Sequence, residues 1–276
     1  MVNSTDCQLK FIRIGVISRT KFHLGDVMNN KFLFIMLASA VFVAGVSSAS
    51  FSLTGREIID KSDALKDPNT AESSVIMLIR KGGSVMEKEF RLLSKDYGPN
   101  DRALISFVRP TQIKLLTHTY KSKEDDQWLR LSNGRIKRIA QSDKDKSFVN
   151  SHFWYEDLAS RDKDNYNYTY TGDTKAAGFD CYKVDSVRKA GAKVYEKITL
   201  YARKSDCFIV KVDFYRGGRL LKYLENSDIR TIDGIITPFK AVMTMADNSG
   251  NTELNVKMVK YNNPIPDSQL VKESLR

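Results

Sequence analysis

From about Val75 to the C-terminus, apolar and polar positions alternate along the chain. In FIVKVDFY, Phe208, Val210, Val212 and Phe214 share one parity, and Ile209, Lys211, Asp213 and Tyr215 take the other. In TELNVKMVK, Leu254, Val256 and Met258 stand opposite Glu253, Asn255 and Lys257. NYNYTYT stacks Tyr166, Tyr168 and Tyr170 on one side, while VYEKITLYA and CYKVDSV alternate less cleanly. A period of two marks antiparallel strands with one buried and one wet face. Turn residues punctuate the runs at Gly82-Gly83, Asn133-Gly134, Gly217-Gly218, Asp233-Gly234 and Ser249-Gly250. Gly and Asn accept positive φ there, so the pattern predicts a meander of roughly ten to twelve strands.

Helical signal is sparse. Leu53 to Leu65 has Thr54 followed three residues later by Glu57, a capping box, and Asp67-Pro68 ends the run. A last short helix is expected in QLVKESL. The prediction is mainly β, a single antiparallel domain. Its apolar face must pack on a second sheet, close into a barrel or be covered.

One segment breaks the alternation. SFVNSHFWYEDL, Ser147 to Leu158, carries the densest aromatic cluster, yet AQSDKDK precedes it and ASRDKDN follows. A solvent-exposed loop has no use for that much apolar area, so something must cover these rings. Either Phe148, Phe153, Trp154 and Tyr155 form a lid over a curved sheet, or Phe148, Phe153 and Tyr155 are core side chains of a packed sandwich.

The N-terminus narrows the setting. Lys31 precedes the 15-residue apolar run Phe32 to Val46, and Ser47-Ser48-Ala49 follows. A basic start, a short apolar core and a small-residue end describe a secretory signal. A spanning helix needs about 20 apolar residues. The expected organisation is a signal peptide over residues 1–49, cleaved after Ala49, and one domain over residues 50–276. Met28 is a sensible start, which makes residues 1–27 an over-long one. Ser50-Phe51-Ser52 supplies no cysteine for a lipid anchor, so the expected product is a soluble, exported, monomeric protein.

Composition is ordinary for a globular protein, 42% hydrophobic and 28% charged, but net charge is +11. Residues 1–49 hold five Lys/Arg and two Asp/Glu, so the remainder stays basic. Export argues against a nucleic-acid partner and leaves anionic head groups. The cluster Arg130, Arg135, Lys137 and Arg138 is read either as a head-group or partner patch or as a solvated strand edge. Cys181 and Cys207 suggest a disulfide in an oxidising compartment, with two buried thiols as the other reading. His118 and His152 have no close ligand pair for a metal, and there is no G-x-S-x-G nucleophile elbow or phosphate-cradling glycine loop. No metal, cofactor or catalytic set is expected, and an enzyme is the remote reading.

The string DQWLRL from Asp126, RIKRI from Arg135, SDK from Ser142, Ser147-Phe148 and FWYEDL from Phe153 resembles the signature block of the outer-membrane lipoprotein-sorting (LolA-like) family. GFDCY from Gly178, KVDFY from Lys211, DGIITP from Asp233 and YNNPIP from Tyr261 follow in the same order, so the likeness spans about residues 53–276. Leu131-Ser132-Asn133 departs from the Tyr or Pro that members often carry. The resemblance implies an unclosed β-barrel, or half-barrel, with a short helical lid and an N-terminal helix. It further implies periplasmic carriage of acylated cargo, a lipoprotein or lipid, between an inner-membrane transporter and an outer-membrane acceptor. A soluble adaptor of an exporter-type pump is the alternative. The alternation then places Phe208, Val210, Val212, Phe214, Leu254, Val256 and Met258 in the concavity, beneath the lid.

Overall fold

The computed structural model describes residues 53–276, except 99, 122, 192 and 193. The expected signal peptide and its cleavage point lie outside the described residues. One α-helix, α1 (Gly55–Asp63), precedes thirteen strands. These are β1 (Thr70–Lys81), β2 (Ser84–Asp96), β3 (Asp101–Arg109), β4 (Lys114–His118), β5 (Asp126–Arg130), β6 (Ile136–Arg138), β7 (Tyr166–Ala176), β8 (Phe179–Arg188), β9 (Lys197–Arg203), β10 (Ile209–Arg216), β11 (Arg219–Ile232), β12 (Ile235–Met245) and β13 (Gly250–Tyr261).

All thirteen join one sheet in the order β6-β5-β4-β3-β2-β1-β13-β12-β11-β10-β9-β8-β7. Each neighbouring pair is antiparallel. β6 and β7 are therefore the two edges, and the sheet does not close. Both edges are blunted. β6 is three residues long with Lys137 and Arg138 exposed, and α1 packs on β7. The helix starts as the sequence indicates, with Thr54 and Glu57 in a reciprocal capping box, and buries Ile58 and Ile59. Gly55 permits the close approach: a Cβ there would stand 2.8 Å from the Tyr168 carbonyl.

One face carries the main core. Cross-strand neighbours Leu92, Ile105, Leu115 and Leu129 line it on one half, and Val184, Leu200, Val212 and Leu224 on the other. On the opposite face, Leu104, Leu116 and Trp128 pack under Ile265, Leu270 and Leu275 of the C-terminal segment. That segment forms two 3-10 turns, Asp267–Leu270 and Lys272–Leu275, where a short helix was expected.

Two bulges correct the expected faces. The β9–β10 register skips Val210, between Ile209 and Lys211. An extra residue reverses parity, so Ile209, Val212 and Phe214 enter the main core while Phe208 and Val210 join a separate cluster with Cys181. The β1–β13 register skips Lys257. Leu254 and Val256 stay in the core, Val259 takes over the inward position, and Met258 falls outside the cluster.

The expected Cys181–Cys207 disulfide is not formed; both are buried free thiols. Cys181 sits with Phe208 and Val210, whereas Cys207 belongs to the main core with Ile209 and Val212.

Candidate functional site: the aromatic crossover

The chain leaves one edge at β6 and re-enters at the other, β7. Residues 139–165 make that crossing, and the aromatic segment lies within it. It is helical only in short turns, Gln141–Asp143, Tyr155–Leu158 and Lys163–Asn165. Its centre is a tight hairpin. Ser147 bridges to Trp154, the Phe148 amide donates to the Phe153 carbonyl at 2.8 Å, and the Ser151 amide donates to the Phe148 carbonyl at 2.9 Å. Val149 and Asn150, at φ 49° and 64°, make the turn. Two consecutive left-handed residues are the type I′ geometry, and a β-branched residue there is strained. The anchors around the turn hold it.

The apolar anchors are the rings. Phe148 and Phe153 are 1% exposed and Tyr155 5%. Phe148 stands 5.7 Å from both Phe107 and Tyr155, between sheet and crossover. Burying each such ring stabilises by roughly 1.5–3 kcal/mol. This resolves the choice left open by the sequence: the rings cover the sheet and are themselves core.

The polar anchors were not legible. Lys222 on β11 shares the inward parity of Leu224 and is fully buried, as is Asp157 of the crossover. Its Nζ donates to Asp157 Oδ2 at 2.6 Å and to the His152 carbonyl at 2.9 Å. Asp157 also accepts from the Trp154 amide and the Tyr195 hydroxyl, both at 2.7 Å. Trp154 stacks on Tyr195 and lies 4.2 Å from the ammonium. Burial pushes the Lys222 pKa down and Asp157 opposes that; burial drives the Tyr195 hydroxyl far up. Further along, the His152 amide donates to Thr252 Oγ1 at 3.0 Å, and Lys144 donates to Gln127 Oε1 at 3.0 Å. The only signal for Lys222 was a lysine two residues before Leu224 in a strand that otherwise alternates.

The basic quartet sits on β5, β6 and their turn. Arg135 and Lys137 are exposed, but Arg138 donates to Asp126. Among the described residues no group of three or more His, Cys, Asp or Glu is placed to hold a metal, and no helix is long and apolar enough to cross a membrane.

Removing one partner of a buried pair strands the other charge, at a cost of roughly 3–5 kcal/mol. Lys222→Met is expected to lose about that much in urea denaturation. Asp157→Asn in the Lys222→Met background is expected to recover part of it, because Asn neutralises the site and still accepts. A double variant no more stable than Lys222→Met would contradict the pairing.

His152 supplies a pH test. Burial, then Lys81 and Lys222, hold its pKa below the ordinary value. The unfolded chain takes its proton near pH 6.5 and the folded chain only lower. The unfolded state thus binds more protons in that window, and stability falls as pH drops through it. The urea midpoint is expected to decline from about pH 7.5 to about pH 5.5, and His152→Asn to flatten the decline. An unchanged slope in that variant would remove His152 from the anchoring set.

A family model described as covering uncharacterized proteins matches residues 99–276. No curated protein matches the chain. Among solved structures, the chain is similar to a DUF1329 family protein from Desulfovibrio piger, at 27% identity and TM-score 0.76, covering 80% of this chain and 98% of that one. A protein domain named for outer membrane lipoprotein sorting, from Vibrio parahaemolyticus, matches at 27% identity and TM-score 0.75, covering 80% and 97%. A LolA superfamily protein from Nitrosomonas europaea shares the fold at 18% identity and TM-score 0.62, covering 81% and 100%. The chain belongs to the matched family of uncharacterized proteins, and it shares its fold with the lipoprotein-sorting domain and the LolA superfamily protein.

Proposed function

We propose that this protein is a non-enzymatic periplasmic carrier that shields the acyl chains of a lipoprotein or lipid between inner and outer membranes. The observation that supports it is the crossover: a strained, ring-bearing hairpin laid over the apolar face of a sheet that stops short of closing. Acyl carriage needs a cover that can lift from such a face. A sixteen-carbon chain has about 15 methylene or methyl groups, and exposing them costs about 12 kcal/mol at roughly 0.8 kcal/mol each. A carrier must replace that contact with its own apolar face. Here the hairpin rings lie on the face; the cover lifts to admit the chain, and the rings then close over it.

Cargo transfer needs a membrane-facing side. Among the described residues, the exposed large apolar ones are Val85, Met86, Val108, Val187 and Leu220. All sit at one end of the sheet, at the β1–β2 and β10–β11 turns and the last residues of β3 and β8. Exposed Lys81, Arg109, Arg216 and Arg219 surround them. Apolar and basic groups together suit an anionic lipid surface or its transporter. The lipoprotein-sorting relative supports the choice of cargo class.

A fluorescent hexadecanoyl probe tests the proposal. Delipidated wild type is expected to bind it saturably. Val212→Glu, which buries an unpaired charge on the concave face, is expected to abolish binding. Folded Phe153→Ala is expected to weaken it about tenfold. No binding by delipidated wild type would overturn carriage and favour the adaptor of an exporter-type pump.

A further inference from the structure

Next to the crossover lies a polar cavity of about 470 Å³, between the β4–β5 turn and the start of β7. Its lining includes Lys121, Lys123, Lys144, Arg161 and Arg188 beside four carboxylates. Arg161 is unlike the others. It is 5% exposed, and its Nε and Nη2 are buried with no hydrogen-bond partner. Its guanidinium lies 5.5 Å from the Tyr195 ring and 5.7 Å from Phe214. The residue therefore joins the polar cavity to the apolar core beneath the hairpin.

The nearby acids are committed. Asp157 is taken by Lys222, Tyr195 and the Trp154 amide. Asp125 accepts from the Ser160 amide and hydroxyl at 2.6 and 2.8 Å, and Asp162 accepts from the Asp164 amide at 2.9 Å. Glu124 and Glu156 are not free either. A buried guanidinium with two unmet donors is costly unless an acceptor arrives. The acceptor that suits a planar fork is an oxyanion, carboxylate or phosphate, bound by two parallel hydrogen bonds.

We propose that Arg161 receives the acidic head group of an amphiphile whose acyl chain lies on the concave face, so that the cavity selects anionic over neutral lipids. This rests on the carrier reading and specifies its cargo. The position of Arg161, between cavity and Phe214, puts the head at the polar side and the chain toward the core.

The test compares hexadecanoate, hexadecanol and inorganic phosphate on the full delipidated protein. Wild type is expected to bind hexadecanoate about tenfold or more tighter than hexadecanol, as a charged hydrogen bond would give. Arg161→Met is expected to abolish that preference while leaving hexadecanol affinity and the urea midpoint unchanged or the midpoint raised, since it removes two buried unmet donors. Arg161→Lys keeps the charge without the fork, and is expected to retain part of the preference. Equal affinities in wild type, a preference that survives Arg161→Met, or failure of both variants to fold would overturn the proposal. Phosphate stabilising wild type but not Arg161→Met, with neither lipid bound, would keep the anion site and sink the carrier reading. No response to any probe would sink both.

Discussion

The constraint on which the structure depends is an apolar sheet face that the sheet itself cannot hide. Thirteen antiparallel strands curve without meeting, and the two edges, β6 and β7, are joined only by residues 139–165. The chain must travel from one edge to the other, and the path across the concavity lets the connection serve as the cover. Phe148, Phe153 and Tyr155 are core because of that path, in a segment whose flanks are polar because they stay at the rim.

Apolar contact alone would let such a cover slide or settle in several arrangements. The buried Lys222–Asp157 pair fixes one. Its desolvation is offset by a full set of partners, the His152 carbonyl, the Trp154 amide and the Tyr195 hydroxyl. Buried ion pairs add little net stability against well-packed hydrophobes, and register is their best-attested use. The pair belongs to both parts: Lys222 comes from the sheet and Asp157 from the crossover. Lifting the hairpin would separate them, so opening would carry an electrostatic cost.

Period-two alternation and turn residues carried the architecture, and the capping box placed α1. The aromatic run between polar flanks required something to cover its rings, and left lid and core both open. What alternation could not carry was parity beyond a bulge. One extra residue at Val210 sends Phe208 and Val210 to the other face, and one at Lys257 removes Met258 from the core. The cysteines stay unpaired because Cys181 packs with Phe208 and Val210 while Cys207 belongs to the main core, and a place near a strand end reveals neither. Lys222 and Arg161 were missed because a lone basic residue in a polar-rich string reads as solvated. Only the tertiary fold brings them beneath Tyr195 and Phe214.

The central claim is that an acyl chain lies on the concave face beneath the hairpin rings. A hexadecanoyl chain with a photoactivatable diazirine near its end tests it most directly, with adducts mapped by peptide mass spectrometry. Adducts on core residues such as Val212, Phe214 and Met243, and on Phe153 of the crossover, are the expected result. Adducts confined to the exposed end around Val85, Met86 and Leu220, with the core unlabelled, would contradict it.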